Sequence, residues 1–192
     1  VSRVLAIGFG PAPGASPSSA QAALDLLRIE DWRPVDGDLA ILLSPWLWWP
    51  AADFARAAAD SDAVILLTGG DSPFARVSGT AGNRAEPGLR DVAGYRWAGS
   101  TIAPGSPPIR SGSLPAEPLA RALGYAGLEA RVRQGPSRPG APNRAFYSVL
   151  EAQPRAALIE LPLSVESART CGQAARYNRF EIVRGVQAAL SF

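Results

Sequence analysis

A chain of 192 residues, 47% hydrophobic and only 19% charged, can enclose one core but is too short for two comfortable ones, so a single domain over residues 1–192 is expected. Its 19 basic residues are all arginine, scattered among 17 acids for a net charge of +2, which gives no basic face and argues against a nucleic-acid partner. Histidine is absent and Cys171 is the one cysteine, which excludes a Ser-His or Cys-His dyad, a histidine-bearing metal site and an internal disulfide.

The first apolar run, VLAIGFG from Val4 to Gly10, breaks at Gly and Pro as a strand buried on both faces does. No charged leader or cleavage pattern accompanies it, and a single unpaired thiol suits a reducing compartment, so a cytoplasmic protein is expected. Pro17 and Ser18 then open a helix predicted from Ser18 to Leu27. DLAILLSPW, Asp38 to Trp46, is a second strand, and PAADFARAAADS a second helix beginning at Pro50. DAVILLTGG, Asp62 to Gly70, is the most apolar strand and the expected centre of the sheet. No apolar stretch approaches a membrane span, so no membrane partner is expected.

From Gly69 to Gly112 no period is sustained, and a loop of that length is functional, carries an irregular hairpin or is partly mobile. Regular structure resumes with a helix in LPAEPLARALGYAG ending at Gly127, a strand LEARVR, a helix NRAFYSVLEA, a strand AALIELPL and a last helix from Tyr177 to Leu190. Strands alternating with helices predict an α/β fold: three α/β/α layers around a mostly parallel, mixed sheet. Ligands in such sheets sit beyond the carboxyl ends of the strands, here Gly8 to Gly14, Thr68 to Ser78, Gln134 to Asn143 and Glu160 to Ser164.

One of these loops has a chemical peculiarity. RPGAPNRAFYSVLE, Arg138 to Glu151, runs from Gly and Pro straight into a helix, with Asn143 expected to cap the first turn. Unpaired N–H groups and the helix dipole favour an anionic nucleophile at such a place. The residue delivered there is Pro142, which has no nucleophilic side chain.

The order of these loops resembles the pyroglutamyl peptidase I (pyrrolidone-carboxylate peptidase) family, cytosolic cysteine peptidases that remove an amino-terminal pyroglutamate. The family's GFxPF turn and following NPS are similar to GFGPA, Gly8 to Ala12, and SPS, Ser16 to Ser18. Its GGR is similar to GGD at Gly69 to Asp71, ERVAIN to SGTAGN at Ser78 to Asn83, and DNxG to DVAG at Asp91 to Gly94. Its TLP, CNxxxY and FIHVP are similar to SLP at Ser113 to Pro115, PNRAFY at Pro142 to Tyr147, and LIELP at Leu158 to Pro162.

The resemblance implies a Glu, Cys, His triad at positions that here hold Ser78, Pro142 and Glu160. It places the ligand pocket at Phe9, Ala12, Leu67, Gly69, Gly70, Asp71 and Asn143, where Ala12 replaces the second aromatic that flanks the pyroglutamyl ring and Leu67 the glutamine that bonds its lactam. A buried amide left unpaired costs about 1–3 kcal/mol. The reading that follows is a protein of this fold without cysteine-peptidase activity and without a cofactor, acting by binding a small-molecule or peptide ligand or by association. The partner would be a copy of itself or an active relative. The alternative is a hydrolase acting on pyroglutamyl or related amides through rearranged groups: Glu160, Asp71, Ser78 or Cys171.

Three features stay open at this level. Asp71, Ser78, Glu86 and Glu160 converge as an acid/base site, or Glu160 is simply paired with Arg138 or Arg144. Trp46, Trp48 and Trp49 pack into the core, or form an exposed patch at a subunit interface. The arginines from Arg131 to Arg144 neutralise an anion, or form a solvated face.

Overall fold

The computed structural model describes residues 2–15, 18–48 and 50–192, and for Cys171 the backbone. Strands β1 (Ser2–Phe9), β2 (Gly37–Ser44) and β3 (Ala63–Gly69) alternate with helices α1 (Ser19–Ile29) and α2 (Ala51–Ala59). Next come short strands β4 (Ala75–Ser78), β5 (Thr80–Gly82) and β6 (Ile109–Ser111), then α3 (Ala116–Tyr125), β7 (Ala130–Val132) and α4 (Ala141–Ala152). The chain closes with β8 (Ala156–Leu161), α5 (Val165–Cys171) and α6 (Arg179–Leu190).

Six strands form one sheet in the order β2-β1-β3-β8-β4-β7, and β5 pairs with β6 as a separate hairpin. β1, β2, β3 and β8 are parallel, whereas β4 pairs antiparallel to β8 and β7 runs parallel to β4. The sheet is therefore mixed, as expected, with the most apolar strand, β3, inside it.

Alternate residues of the strands fill two cores. Ile65, Leu67 and Ile159 pack with Leu24, Leu27, Leu119, Leu123, Ile182 and Val186 beneath α1, α3 and α6. Ile7, Leu66 and Leu158 pack with Phe54, Phe146 and Val149 beneath α2 and α4. Two helix layers over one sheet are the three-layer fold the sequence predicts.

The helix starts follow local chemistry. Ser18 caps α1, its Oγ accepting from the N–H of Gln21 and donating to the carbonyl of Phe9 at 2.5 Å, which ties β1 to α1. Asn178 and Glu181 form a reciprocal capping box on α6.

Two expectations need correction, and one of three left open for the region 69–112, the hairpin, is what the structure shows. β7 runs against β8, so the segment Gln134 to Asn143 does not leave the same end of the sheet as the loops after β1, β3 and β8; it turns back to reach them. The region 69–112 contains β4 and the β5/β6 hairpin. Asn143 does not cap a helix: α4 begins at Ala141 after Gly140, leaving Asn143 inside its first turn. Gly140 has φ 150°, and a Cβ there would stand 2.9 Å from Cζ2 of Trp46, so the entry to α4 requires glycine.

Candidate functional site: a cleft at the ends of β1, β3 and β8

The carboxyl ends of β1, β3 and β8 open into a cleft of about 320 Å³. Gly10 to Ala12 from the β1 loop, Ser18 and Ser19 at the start of α1, Thr68 to Asp71 at the end of β3, Glu160 near the end of β8 and Leu163 just beyond it line the cleft. Arg138, Pro139 and Pro142 close the far side, and Gln173 adds a polar group at the rim. Gly70 keeps it open, since a Cβ there would lie 3.4 Å from the Cβ of Glu160 and 3.8 Å from its Oε2.

Of the expected site residues, Ala12, Gly69, Gly70, Asp71, Pro142 and Glu160 line this cleft. Phe9 and Leu67 do not: both are fully buried in the cores, Phe9 edge-on to Phe54 at 5.8 Å. Ser78 and Glu86 also stand outside it, so the four-residue convergence does not form.

Glu160 is almost completely buried and is held by Arg133, whose Nη2 donates to Oε1 at 2.8 Å and to Oε2 at 3.0 Å. Pairing with an arginine is the expected outcome, but the partner is neither Arg138 nor Arg144. Sheet register explains it. Arg131 pairs with Arg76, and Arg76 with Glu160. Arg133, two residues on, therefore shares a face with Ser78 and Glu160. Ser78, paired with Leu158, is on this face of β4 too, and the guanidinium crosses the strand from the end of β7 to β8.

Ser78 itself has no exposed surface, and neither its Oγ nor the Nε of Arg133 has a hydrogen-bond partner among the described residues. Arg138 pairs instead with Asp71 at 3.2 Å in an exposed bridge. Arg144 lies 3.9 Å over the ring of Trp97, and partial burial there lowers its pKa. Among the described residues no group of three or more His, Cys, Asp or Glu could hold a metal ion.

Next to the cleft, three polar side chains organise the long loop. Asn143 is fully buried; its Oδ1 accepts from the N–H of Gly82 and the hydroxyl of Ser137, and its Nδ2 donates to the carbonyls of Gly82 and Arg84. Asn83 accepts from the N–H groups of Ile102 and Ala103 and donates to the carbonyls of Ala103 and Ser106. Asp91 accepts from the N–H groups of Trp48, Ala93 and Tyr95. Tyr147 adds a hydroxyl bond to the carbonyl of Pro107.

Trp46 and Trp48 are 6% and 3% exposed and meet edge to face at 5.4 Å, so these two pack inside the protein; Trp49 lies outside the described residues. Sequence reasoning missed Ser19 as a cleft group and Arg133 as the partner of Glu160. The only available signal for Arg133 was the alternation Arg-Val-Arg in a short edge strand.

A mixed sheet between two helix layers, with a ligand-sized cleft at one end of its parallel strands, defines an α/β protein whose site would lie at that end. No family model and no curated protein matches the chain by sequence. Solved structures do match by shape. Pyroglutamyl peptidase I of Bacillus amyloliquefaciens superposes with a TM-score of 0.85 at 19% identity, over 100% of this chain and 96% of that one. Pyrrolidone carboxyl peptidase of Thermus thermophilus gives 0.85 at 23% identity over 98% of both chains. A single-site mutant of the Pyrococcus furiosus enzyme gives 0.85 at 17%, over 98% and 96%. The fold is that of pyroglutamyl peptidase I, in agreement with the motif resemblance.

Proposed function

We propose that this protein is a divergent pyroglutamyl peptidase I relative that has no cysteine-peptidase activity and acts by binding. One observation carries the proposal: the residue presented to the cleft from the first turn of α4 is Pro142, and the neighbouring Glu160 is engaged by Arg133. A proline cannot attack a carbonyl, and a chain without histidine has no imidazole to activate another nucleophile. The 192 residues then work as one domain without a cofactor, in the cytoplasm, on a small-molecule or peptide ligand. Association with a second copy or with an active relative belongs to the same reading. No helix among the described residues is long and apolar enough to cross a membrane.

The rearranged-hydrolase alternative draws on Asp71 and Glu160 sharing the cleft. Their ion pairs with Arg138 and Arg133 weigh against it, because each carboxylate bonds to its own arginine and, among the described residues, the two form no acid–base couple with each other. The deciding experiment is turnover of a fluorogenic pyroglutamyl amide by the purified protein beside its Cys171→Ala and Glu160→Ala variants. No turnover in any of them is expected. Turnover abolished by either substitution would overturn the proposal and name the group responsible.

A further inference from the structure

The cleft has two chemically unlike walls. Helix α1 begins on one of them, and its first turn contains no acidic residue. Ser19 lines the cleft at 3% exposure, and its Oγ is buried with no hydrogen-bond partner among the described residues. Ser18 beside it is committed to the fold, donating to Phe9 and accepting from Gln21. The N–H groups of Ser19 and Ala20 have no intrahelical acceptor, as in any first turn, and the positive end of the helix dipole lies there. Gly69, at the end of β3, adjoins this wall: a Cβ there would lie at ordinary contact distance, 3.5 Å from Ser18 Oγ and 3.8 Å from the backbone nitrogen of Ser19. An unpaired hydroxyl and a helix start together make a site for an oxyanion.

The other wall carries two carboxylates. Asp71 and Glu160 line it from the ends of β3 and β8, Asp71 in an exposed pair at 3.2 Å with Arg138, which lines the cleft as well. Arg133 reaches both oxygens of Glu160 through one nitrogen, and a carboxylate has about four acceptor positions, so capacity for a further donor remains.

We infer that the cleft takes a linear α-amino acid, its carboxylate seated at Ser19 and the start of α1 and its ammonium facing Glu160 and Asp71. The inference rests on the proposal that the cleft binds rather than hydrolyses, and gives that binding a substrate class. A neutral lactam would satisfy neither wall, whereas a zwitterion satisfies both. A volume of about 320 Å³ lies in the range of small-ligand pockets.

The test is calorimetric titration of the full chain with each common α-amino acid. The tightest binder is then retested as its carboxamide and as its N-acetyl derivative, with pyroglutamyl amide as the neutral-lactam control. Blocking either end is expected to weaken binding by about tenfold or more, the loss of one charge-assisted interaction. Ser19→Ala is expected to weaken the free acid about tenfold and to leave the carboxamide unchanged, while Ser19→Thr retains affinity. Equal affinity for blocked and free forms, an unaffected Ser19→Ala protein, or no binding of any amino acid would overturn the inference. Binding of pyroglutamyl amide alone would overturn it while keeping the cleft as a ligand site. Failure of the non-peptidase proposal reads out separately, as turnover in the hydrolysis assay.

Discussion

The long loop between β5 and β6 and the cleft beside it are built from the same motif segments, yet they treat those segments differently. Asn83 and Asp91 in the loop, and Asn143 and Tyr147 reaching towards it from α4, fit the motif resemblance, and all four bond to backbone groups. Of the three positions that the motif resemblance assigns to a triad, Pro142 and Glu160 line the cleft, and Ser78 stands outside it on β4. Buried backbone N–H and C=O groups must be paired whatever the protein does. A side chain that pairs them is therefore bound to the fold, and one that serves chemistry is bound only to the reaction. Neighbouring positions, Pro142 and Asn143, show the two demands side by side on one helical turn.

The contrast can be broken most forcefully at Asn143. Asn143→Ala orphans the N–H and carbonyl of Gly82 and the carbonyl of Arg84, and is expected to lower unfolding free energy in urea by about 4 kcal/mol. Asp91→Ala should follow with about 3 kcal/mol, since three backbone N–H groups lose their acceptor. On the cleft side, Arg133→Met leaves the Glu160 carboxylate buried without a partner and should also cost about 3 kcal/mol. Adding Glu160→Leu to it should return stability to within about 1 kcal/mol of wild type, which Asn143→Ala has no comparable partner substitution to achieve.

Pro142→Ala sharpens the comparison from the weak end. Pro142 sits in the first turn of α4, where its missing N–H is no loss, so the change should cost only about 0.5 kcal/mol through the unfolded chain. The smallest effect is expected at Glu129, on the surface. Hydrogen bonds from Arg131, and then the attraction of Arg131 and Arg176, lower its pKa against a smaller effect of burial. A lowered folded-state pKa contributes stability that is fully present above the ordinary carboxylate value and is lost as pH falls through the lowered one. Thermal melts should therefore show wild type and Glu129→Gln converging as the solution is acidified.

What the sequence disclosed follows from locality. Apolar runs and helix starts announced β1, β3, β8, α1, α2 and α6 because each signal lies within a few residues. β4 is four residues long, and its strand character comes from pairing with β8 and β7. α5 is seven residues, too short for a period to show. Asn143 looks like a cap because an Asn before a helical run is one locally; its real partners are about sixty residues away. Arg133 and Glu160 meet across an intervening strand, which only the sheet order could reveal. The cleft was legible in outline from its Gly-rich loops, and its electrostatics were not.

The proposal that the protein has no working nucleophile is tested most directly by intact-mass analysis after incubation with a pyroglutamyl electrophile that alkylates or acylates cysteine-peptidase nucleophiles. The predicted result is an unmodified chain after prolonged exposure. A stoichiometric adduct, mapped by peptide sequencing to Cys171 or to any side chain of the cleft, would contradict the proposal that peptidase chemistry is gone.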